Sequence, residues 1–397
     1  MKILFIDVQI DLLGGGSMHS LNITASELSK MGHDVSVITL NPERSRIFEN
    51  PPYNIIKEKR WFTDPVTTDI FVYKLLKRHA PDVDVFHIYD PALLGGGGLY
   101  RLKGGIKPVF GTLNSYSFCT NYGMMNGGCH KTCNLIKRIS HSQYKIHKKI
   151  ISLPFRIYQQ YIGFWLAKKT DWFFPDSTVT MKIYSEFGFD KSRMTVIPEM
   201  IDVEGLQNKY NIRTKPPRDN KKFNVLFVGR LEQPKGVDIL IKAISKSDIP
   251  DIHLHIVGDG NERATLQKLC RRLNVENKIT FHGWARNEAI HKYYLQSQLF
   301  VHPGRWPEPF GRTVIEAMCF GMPTIVSDTG APKWLVGNAG LIFKTQDIAE
   351  LKEKITKIYS DIMLRKRLSI NARARAEDFN YKKSIKQLVN AYKKFNM

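Results

Sequence analysis

Short apolar runs alternate with segments of helical period along the whole chain, and this alternation restricts the fold more than any other feature of the sequence. The runs in chain order are KILFIDV, DVSVITL, VDVFHIYD, KPVFGTLN, DWFFPDS and MTVIPE in the first half, then NVLFVGR, IHLHIVGDG, KITFHGW, LFVHPG, PTIVSD and AGLIF in the second. Apolar strands separated by helices are typical of a parallel sheet covered on both faces. The sequence therefore predicts an α/β protein.

A polar segment divides the alternation into two halves. Residues 206–223 are charged and contain two adjacent prolines, which is typical of a linker. A chain of 397 residues is also too long for one ordinary core. We therefore predict two Rossmann-like, doubly wound domains that face a deep cleft, at residues 1–205 and 206–377. A C-terminal helix at residues 378–397 is expected to pack back toward the N-terminal domain.

Two glutamates flank a glycine at the start of a predicted helix. In WPEPFGRTVIEAM, Glu308 precedes Glu316 by eight positions and Gly311 lies between them. Ligands of open α/β sheets bind at the carboxyl ends of the strands, and a glycine lets backbone N–H groups approach a ligand oxygen closely. Because carboxylates only accept hydrogen bonds, the pair suits the hydroxyls of a sugar. The alternative is a surface glutamate and a glutamate favoured by the helix dipole.

Three other turns follow predicted strands. Arg230 and Lys235 come after NVLFVG, where two cations suit a diphosphate or are simply solvated. The turn that holds Gly15 and Gly16 lacks the lysine of a P-loop and the spacing of a dinucleotide fingerprint. Gly258 lies in GDGN, which is either a plain tight turn or a base-binding loop. These three glycines are candidate substrate-binding positions or parts of plain tight turns.

Together these motifs resemble the glycosyltransferases of family 4, the glycosyl transferases group 1, which have the GT-B fold. The resemblance covers essentially the full length, and its E-x7-E pattern is specific in this setting. It is carried by GGGSMHSLNITASELSKMGHDVSVIT, MTVIPEMIDVEGL, VGRLEQPKG, LHIVGDGNERATL, ITFHGW and HPGRWPEPFGRTVIEAMCFGMPTIVSDTGAP. The resemblance implies a retaining hexosyltransferase that moves a sugar from a nucleotide diphosphate sugar to a glycan or lipid-linked acceptor. It also implies that no metal or other cofactor is required, and that residues 1–205 form the acceptor side.

The resemblance assigns roles to individual residues as well. Arg230 and Lys235 would hold the diphosphate, and Glu316 the ribose. Glu308 would hold the sugar and phosphate together with the backbone of Phe310, Gly311, Arg312 and Thr313. Breaking the anomeric bond builds negative charge on the leaving diphosphate, which fixed cations and helix N–H groups stabilise as it develops.

The chain departs from the family pattern at several positions. Asn114 stands where a histidine facing the donor sugar is common, and His87 is retained while Tyr89 replaces a second histidine. Glu199 stands where asparagine is usual, and Lys333 of GAPKW interrupts the G-G-x-P-E motif. We keep His87 and Asn114 as candidate catalytic residues. Two other functions stay open, a GT-B nucleotide-sugar epimerase and a nucleotide-sugar-binding protein without catalysis.

The formal net charge of +22 is concentrated in one acid-free segment. Between Pro91 and Thr170 there is no Asp or Glu but there are twelve Lys and Arg. Within it we predict a basic amphipathic insertion at about residues 131–169. Its apolar helical stripe comprises Ile157, Tyr158, Tyr161, Ile162, Trp165 and Leu166, and its basic flank comprises Lys137, Arg138, Lys145, Lys148, Lys149 and Arg156. The stripe is either core or a surface that contacts an anionic membrane; no nucleic-acid module is recognised, so we expect no nucleic-acid partner.

No run in the sequence reaches the ~20 apolar residues of a spanning helix, and Asp7 and Asp11 interrupt the apolar N-terminus. Five cysteines do not make a disulfide framework in a chain of this size, which fits a reducing compartment. We expect a cytoplasmic protein, peripheral on the inner face of the cell membrane. Cys119, Cys129, Cys133 and His130 either bind a structural zinc ion or stay free in a loop.

Overall fold

The computed structural model describes residues 1–10, 15–44, 50–61, 64–116, 153–212 and 222–395. The strands are β1 (Lys2–Asp7), β2 (Asp34–Thr39), β3 (Asn54–Lys57), β4 (Val85–Ile88), β5 (Val109–Leu113), β6 (Trp172–Pro175), β7 (Phe223–Val228), β8 (Ile252–Val257), β9 (Ile279–Gly283), β10 (Leu299–His302), β11 (Thr324–Ser327) and β12 (Gly340–Phe343). The helices are α1 (Gly16–Lys30), α2 (Pro65–His79), α3 (Leu94–Leu102), α4 (Leu153–Tyr158), α5 (Phe164–Ala167), α6 (Thr178–Glu186), α7 (Val203–Lys209), α8 (Val237–Ser245), α9 (Arg263–Arg272), α10 (Asn287–Gln296), α11 (Arg312–Cys319), α12 (Ala331–Val336), α13 (Ile348–Ser360), α14 (Ile362–Ala376) and α15 (Tyr381–Lys393).

Within these ranges the strands form two six-stranded sheets with the same order. The first runs β3-β2-β1-β4-β5-β6 and the second β12-β11-β10-β7-β8-β9, and all pairings between these strands are parallel. In each half the chain starts near the middle of the sheet, winds to one edge, returns and winds to the other. The predicted pair of doubly wound α/β domains is therefore confirmed. The strand order reverses between β1 and β4 and between β7 and β10, which are the switch points where such sheets bind ligands.

Two details of the strand prediction were wrong. MTVIPE is not a strand, because Met194 forms only an isolated bridge to Phe173 and the following Pro198 has no N–H for a ladder. The edge strand β3 was missed, since its four residues NIIK are only partly buried and give little periodic signal. The number of strands in the first sheet was still predicted correctly, because one error replaced the other.

The first compact unit comprises residues 1–201 and 381–397. The chain re-enters it where the Tyr381 N–H donates to the Ile201 carbonyl at 3.0 Å, and α15 then packs on α1 and the sheet. The core of this unit includes Phe5, Val37, Phe110 and Phe174 of the sheet, Leu21 and Leu28 of α1, and Leu388 and Tyr392 of α15. Each such fully buried apolar side chain contributes about 1.5–3 kcal/mol, so α15 is a substantial part of this core.

The second compact unit comprises residues 202–380. Its main core lies between strands such as β7 and β8 and the apolar sides of four helices, with Leu240 from α8, Leu269 from α9, Ile355 from α13 and Leu368 from α14. Two free cysteines, Cys270 and Cys319, are buried in helices of this unit.

The apolar stripe of the acid-free segment is interrupted. A π-helical turn at Gln159–Gly163 separates α4 from α5, and a π turn shifts the helical register of the residues after it. Leu166 is therefore buried, whereas Tyr161, Ile162 and Trp165 are exposed. Arg156, predicted to flank an exposed surface, is 5% exposed, so that assignment was wrong. The other basic flank residues, Lys137, Arg138, Lys145, Lys148 and Lys149, lie outside the described residues.

Candidate active site

The turn after β7 meets the turn after β10 at the switch point of the second sheet. Gly236 has a φ of +67°, and a Cβ atom there would lie 2.0 Å from the Pro303 carbonyl oxygen, so this close approach requires glycine. It brings Lys235 to Glu308, with 2.7 Å between Nζ and Oε1. A cation from the turn after one strand and a carboxylate from the turn after the neighbouring strand are therefore in direct contact.

Glu308 is the centre of a buried cluster that we call the Lys235–Glu308–His302 cluster. Its second oxygen, Oε2, lies 2.7 Å from His302 Nε2, and the three side chains are 13%, 15% and 3% exposed. Because a carboxylate only accepts, His302 Nε2 carries the proton of this bond. Burial raises the pKa of Glu308, but the charges of Lys235 and His302 outweigh it and hold that pKa well below its usual value. Glu308 is therefore ionised over the physiological range.

Glu316 is held by two neighbours on the same side of α11. Its Oε1 accepts from Arg312 Nε at 3.0 Å and its Oε2 accepts from the Tyr294 hydroxyl at 3.1 Å. Gly311, at a φ of +107°, precedes the helix, and no side chain caps its first turn. A cation at the start of a helix is disfavoured by the helix dipole, so Arg312 at this position is stabilised by Glu316.

Arg230 stands apart from these contacts in the structure. Its guanidinium Nη1 lies 2.9 Å from Glu232 Oε1, and its side chain is 69% exposed. An exposed ion pair of this kind contributes little to stability. The Arg230 side chain is therefore accessible to a ligand, and its role in binding diphosphate stays a prediction.

The remaining glycine and backbone candidates have identifiable structural roles. A Cβ atom at Gly258 would lie 1.9 Å from the Gly229 carbonyl oxygen, so Gly258 is needed for the packing of two loops. Phe310 is 1% exposed in the core, and the Thr313 carbonyl accepts from Tyr294 at 3.4 Å. Gly15 precedes α1 and Gly16 is its first residue. Contact of these positions with substrate stays a prediction.

His87 and Asn114 lie at the carboxyl-terminal side of the first sheet. His87 Nδ1 is 2.5 Å from the Tyr392 hydroxyl and Nε2 is 2.7 Å from Thr112 Oγ1, so both ring nitrogens are engaged. Burial lowers the pKa of His87 to about 3, which keeps it neutral. Asn114 Nδ2 donates to the Tyr89 carbonyl at 3.4 Å. The catalytic roles suggested for these two residues stay predictions.

Sequence reasoning missed His302 and Tyr294. His302 ends the strand in LFVHPG, six residues before Glu308, and that position gave a usable signal. Tyr294 lies in a helix whose sequence gives no hint that its hydroxyl reaches Glu316. The zinc candidates Cys119, Cys129, Cys133 and His130 lie outside the described residues. Within the described ranges, no group of three metal-ligating side chains is found.

Comparison with known proteins covers nearly the whole chain. Residues 13–204 match the profile of Glycosyltransferase Family 4, and residues 208–375 match that of Glycosyl transferases group 1. An uncharacterized glycosyltransferase of Haemophilus influenzae is 25% identical over 398 residues, which span 97% of this chain and 98% of that protein. An uncharacterized 41.2 kDa protein in the cps region of Klebsiella pneumoniae is 26% identical over 197 residues, 49% of this chain and 53% of that protein. This chain thus spans about half the length of that relative and of several others.

The solved structures show the fold. Anabaena HepE in complex with UDP superposes with a TM-score of 0.72 at 18% identity, covering 99% of this chain and 100% of that one. HepE has also been solved in complex with UDP-glucose. None of the helices in the described ranges combines the length and apolar character needed to cross a bilayer.

Proposed function

The chain belongs to the group 1 glycosyltransferases of the GT-B fold, and on that premise we propose that it is a retaining, metal-independent hexosyltransferase. It would move a sugar from a nucleoside diphosphate sugar to a hydroxyl of a glycan or lipid-linked acceptor. The bond between the anomeric carbon and the diphosphate breaks, a bond to the acceptor oxygen forms, and the proton of the acceptor hydroxyl passes to the departing diphosphate. The observation that carries the proposal is the Lys235–Glu308–His302 cluster.

Lys235 suits the leaving diphosphate. Its ammonium group has three donors, so it can keep its bond to Glu308 and still donate to a phosphate oxygen. Trp306 covers one side of it, with 5.6 Å from Nζ to the ring centroid, and limits access of water. A fixed, largely buried cation stabilises the charge that develops on the diphosphate more strongly than an exposed one.

Glu308 and α11 supply the complementary contacts. A carboxylate that stays ionised accepts hydrogen bonds from sugar hydroxyls and is favourable beside a sugar ring that develops positive charge. The uncapped start of α11 suits phosphate oxygens, and Arg312 adds a cation there. Glu316, already oriented by Arg312 and Tyr294, is the acceptor for ribose hydroxyls.

A thermal-shift screen with UDP, GDP and ADP sugars tests the donor site. HepE binds UDP and UDP-glucose, which makes UDP sugars the first to try. A ligand of the folded state raises the melting temperature according to its concentration relative to its Kd. We expect Lys235→Ala and Glu316→Ala each to abolish the shift, and Lys352→Ala, which breaks an exposed pair with Asp248, to preserve it. A shift that survives in both site variants contradicts the assignment.

Analysis of the products separates the enzyme classes. Retention of the anomeric configuration in a transferred sugar supports the proposal, and inversion refutes that part of it. An epimerised donor would indicate the epimerase, and tight donor binding without turnover would indicate a binding protein. Addition of a chelator is expected to leave the transfer rate unchanged.

We also propose that the protein docks peripherally on the anionic, cytoplasmic face of the cell membrane. Tyr161, Ile162 and Trp165 are 59%, 50% and 47% exposed, and Lys169 Nζ lies 5.0 Å from the Trp165 ring centroid. Exposed aromatic and aliphatic side chains beside lysines have the composition of an interfacial surface. Each lysine near an anionic leaflet contributes about 1 kcal/mol.

Vesicle sedimentation tests the membrane contact. The double variant Tyr161→Ala/Trp165→Ala is expected to bind anionic vesicles about 10-fold more weakly, which corresponds to the loss of two partly buried aromatic side chains. Trp284→Ala is the matched control, since Trp284 is 54% exposed in the second unit. Equal losses in both variants, or equal binding to neutral and anionic vesicles, would contradict the proposal.

A further inference from the structure

A small pocket in the first unit holds two carboxyl groups. In the described part of the chain its lining contains no lysine or arginine. It is lined by Ser20, Thr24, His87, Tyr89, Thr112, Asn114, Phe174, Asp176, Ile197, Pro198, Glu199, Met200 and Leu388. Its solvent space is only about 20 Å³, which is room for one or two water-sized groups. The pocket admits a functional group of a ligand and not a whole sugar ring.

Asp176 is the unusual residue of this pocket. It follows β6, its N–H donates to the Leu113 carbonyl at 3.2 Å, and it is 2% exposed. Neither carboxyl oxygen has a partner within normal hydrogen-bonding distance. Burial, and then the charge of Glu199, raise the pKa of Asp176 well above its usual value, while the nearby Thr180 and Ser177 hydroxyls act in the opposite direction. A buried carboxyl group without a hydrogen-bond partner is costly to keep, which points to a missing ligand.

A second carboxyl group, that of Glu199, lies close to Asp176. Tyr89 and Glu199 line the same pocket as Asp176. Burial raises the pKa of Tyr89, and the charges of Glu199, Asp7 and Asp176 act in the same direction. The backbone fixes Glu199 beside them, because the Met200 N–H donates to Ser20 Oγ at 2.7 Å. In a chain with a net charge of +22, such a concentration of carboxyl groups favours a cationic ligand.

We propose that this pocket, which we call the Asp176–Glu199 pocket, binds the ammonium group of an amine-bearing acceptor such as an amino sugar. A hydroxyl would offer one hydrogen bond and no charge, whereas an ammonium group offers three donors and a positive charge that favours ionisation of the two carboxyl groups. Its size matches the available space, and the rest of the sugar would stay outside the pocket. The inference rests on the proposed transferase function because it names the acceptor of that reaction.

Glu199 adds a second carboxyl group to the pocket beside Asp176. A neutral amide at this position would give the pocket less negative charge and would weaken its attraction for a cation.

Ligand-observed NMR titrations of the full chain at pH 7 test this inference. The probes are methyl glucosaminide, which has a free amine, and two neutral analogues, methyl N-acetylglucosaminide and methyl glucoside. We expect the amine to bind at least 10-fold more tightly than either analogue. Asp176→Asn and Glu199→Gln should each remove most of this difference, and Asp190→Asn, an exposed carboxylate of the same unit, should retain it. Equal binding of the three probes, or an amine preference that survives in both pocket variants, overturns the inference.

Two further measurements distinguish a loss of binding from a failure to fold. Melting curves identify any variant that fails to fold, and the wild-type comparison of the amine with its N-acetyl analogue decides the question without a variant. Titration of the same samples with UDP sugars separates this inference from the proposed function. Donor binding without an amine preference overturns only the pocket assignment. An amine preference in a protein that binds no nucleotide sugar supports the pocket and overturns the transferase.

Discussion

Glu308 in the second unit has an ammonium group and an imidazole within 2.7 Å, whereas Asp176 in the first unit has no hydrogen-bond partner for either oxygen. Both carboxyl groups are largely buried, and both lie beyond the carboxyl end of a strand in sheets of identical order. Their environments shift their pKa values in opposite directions. The same architecture thus produces a permanently charged group in one unit and a carboxyl group that is readily protonated in the other.

The opposite pKa shifts of Glu308 and Asp176 indicate that the two carboxyl groups serve different purposes. A buried carboxylate that is already paired is available as a fixed charge at all times, as electrostatic stabilisation of a reaction requires. A buried carboxyl group without a partner gains most from a ligand that supplies the missing charge and donors. The Lys235–Glu308–His302 cluster is therefore suited to electrostatic stabilisation of a reaction, and the Asp176–Glu199 pocket is suited to selection of a substrate.

The largest effect on the reaction rate is expected from Lys235→Met, which removes the positive charge of Lys235 and keeps most of the side-chain volume. The rate of nucleoside diphosphate release from the donor should fall by about 10²-fold or more, by analogy with the loss of one oxyanion-hole donor. The matched control is Lys242→Met, which breaks a pair with Asp238 elsewhere in the same unit and should change the rate little. A decrease of less than about 3-fold for Lys235→Met would show that the cluster does not stabilise the leaving group.

A second large effect is expected from Glu308→Gln on stability. Breaking a buried ion pair costs about 3–5 kcal/mol, so the free energy of unfolding at pH 7 should fall by that order in a urea titration. The folded-state pKa of Glu308 is depressed, so its stabilisation is present above the usual value of 4.5 and is lost as the pH falls toward the folded-state pKa. The difference between wild type and variant should therefore shrink on acidification below about pH 4.5. A difference that stays constant with pH would contradict the proposed charge state.

Asp176→Asn should raise the free energy of unfolding at pH 7, whereas Glu308→Gln should lower it. The folded-state pKa of Asp176 is raised, so between the usual value of 3.8 and the raised value the unfolded chain loses a proton that the folded protein keeps. Stability of the wild type is lost over that range as the pH rises. The variant should unfold with a free energy about 1–2 kcal/mol higher at pH 7, from the cost of a buried group without a partner, and the gain should vanish below about pH 3.8. Loss of stability at pH 7 would mean that Asp176 is already paired.

The exposed Asp251 provides the control for this experiment. Asp251→Asn preserves the shape of the residue as closely as Asp176→Asn does, and it should produce no comparable gain. A similar gain in both variants would indicate a general effect of the high positive charge and not of the pocket.

The smallest effect is expected from Glu232→Gln, which breaks the pair with Arg230. Because Arg230 is 69% exposed, the pair should contribute no more than about 1 kcal/mol to the free energy of unfolding. Chemical denaturation of the two proteins in parallel measures this difference. A loss as large as that of Glu308→Gln would show that Arg230 belongs to the buried cluster after all.

Much of the fold followed from the sequence because the signals were local. Apolar runs and helical periods identified all strands of the second sheet, and the switch point placed Lys235 and Glu308 in the same region. The edge strand β3 escaped because a short, half-exposed strand has a weak pattern. Arg156 was misplaced because its burial depends on packing against other elements, which leaves no clear pattern in the residues.

The partners of the site residues were harder to predict. Tyr294 reaches Glu316 from a different helix, and such a contact depends on packing between elements and not on sequence spacing. The charge state of Asp176 likewise depends on burial that no single segment determines. Residue types at strand ends could be predicted, whereas their protonation and pairing required the structure.

The return of the chain to the first unit has a consequence for synthesis. The helix α15 places Leu388 and Tyr392 in the same core as the N-terminal strands, and Tyr392 contacts His87. On the ribosome, residues 1–201 are therefore translated long before the segment that completes their core emerges. Residues 202–380 form a continuous unit and have all their own strands at an earlier point. The half of the protein that is made first is thus expected to reach its final packing last.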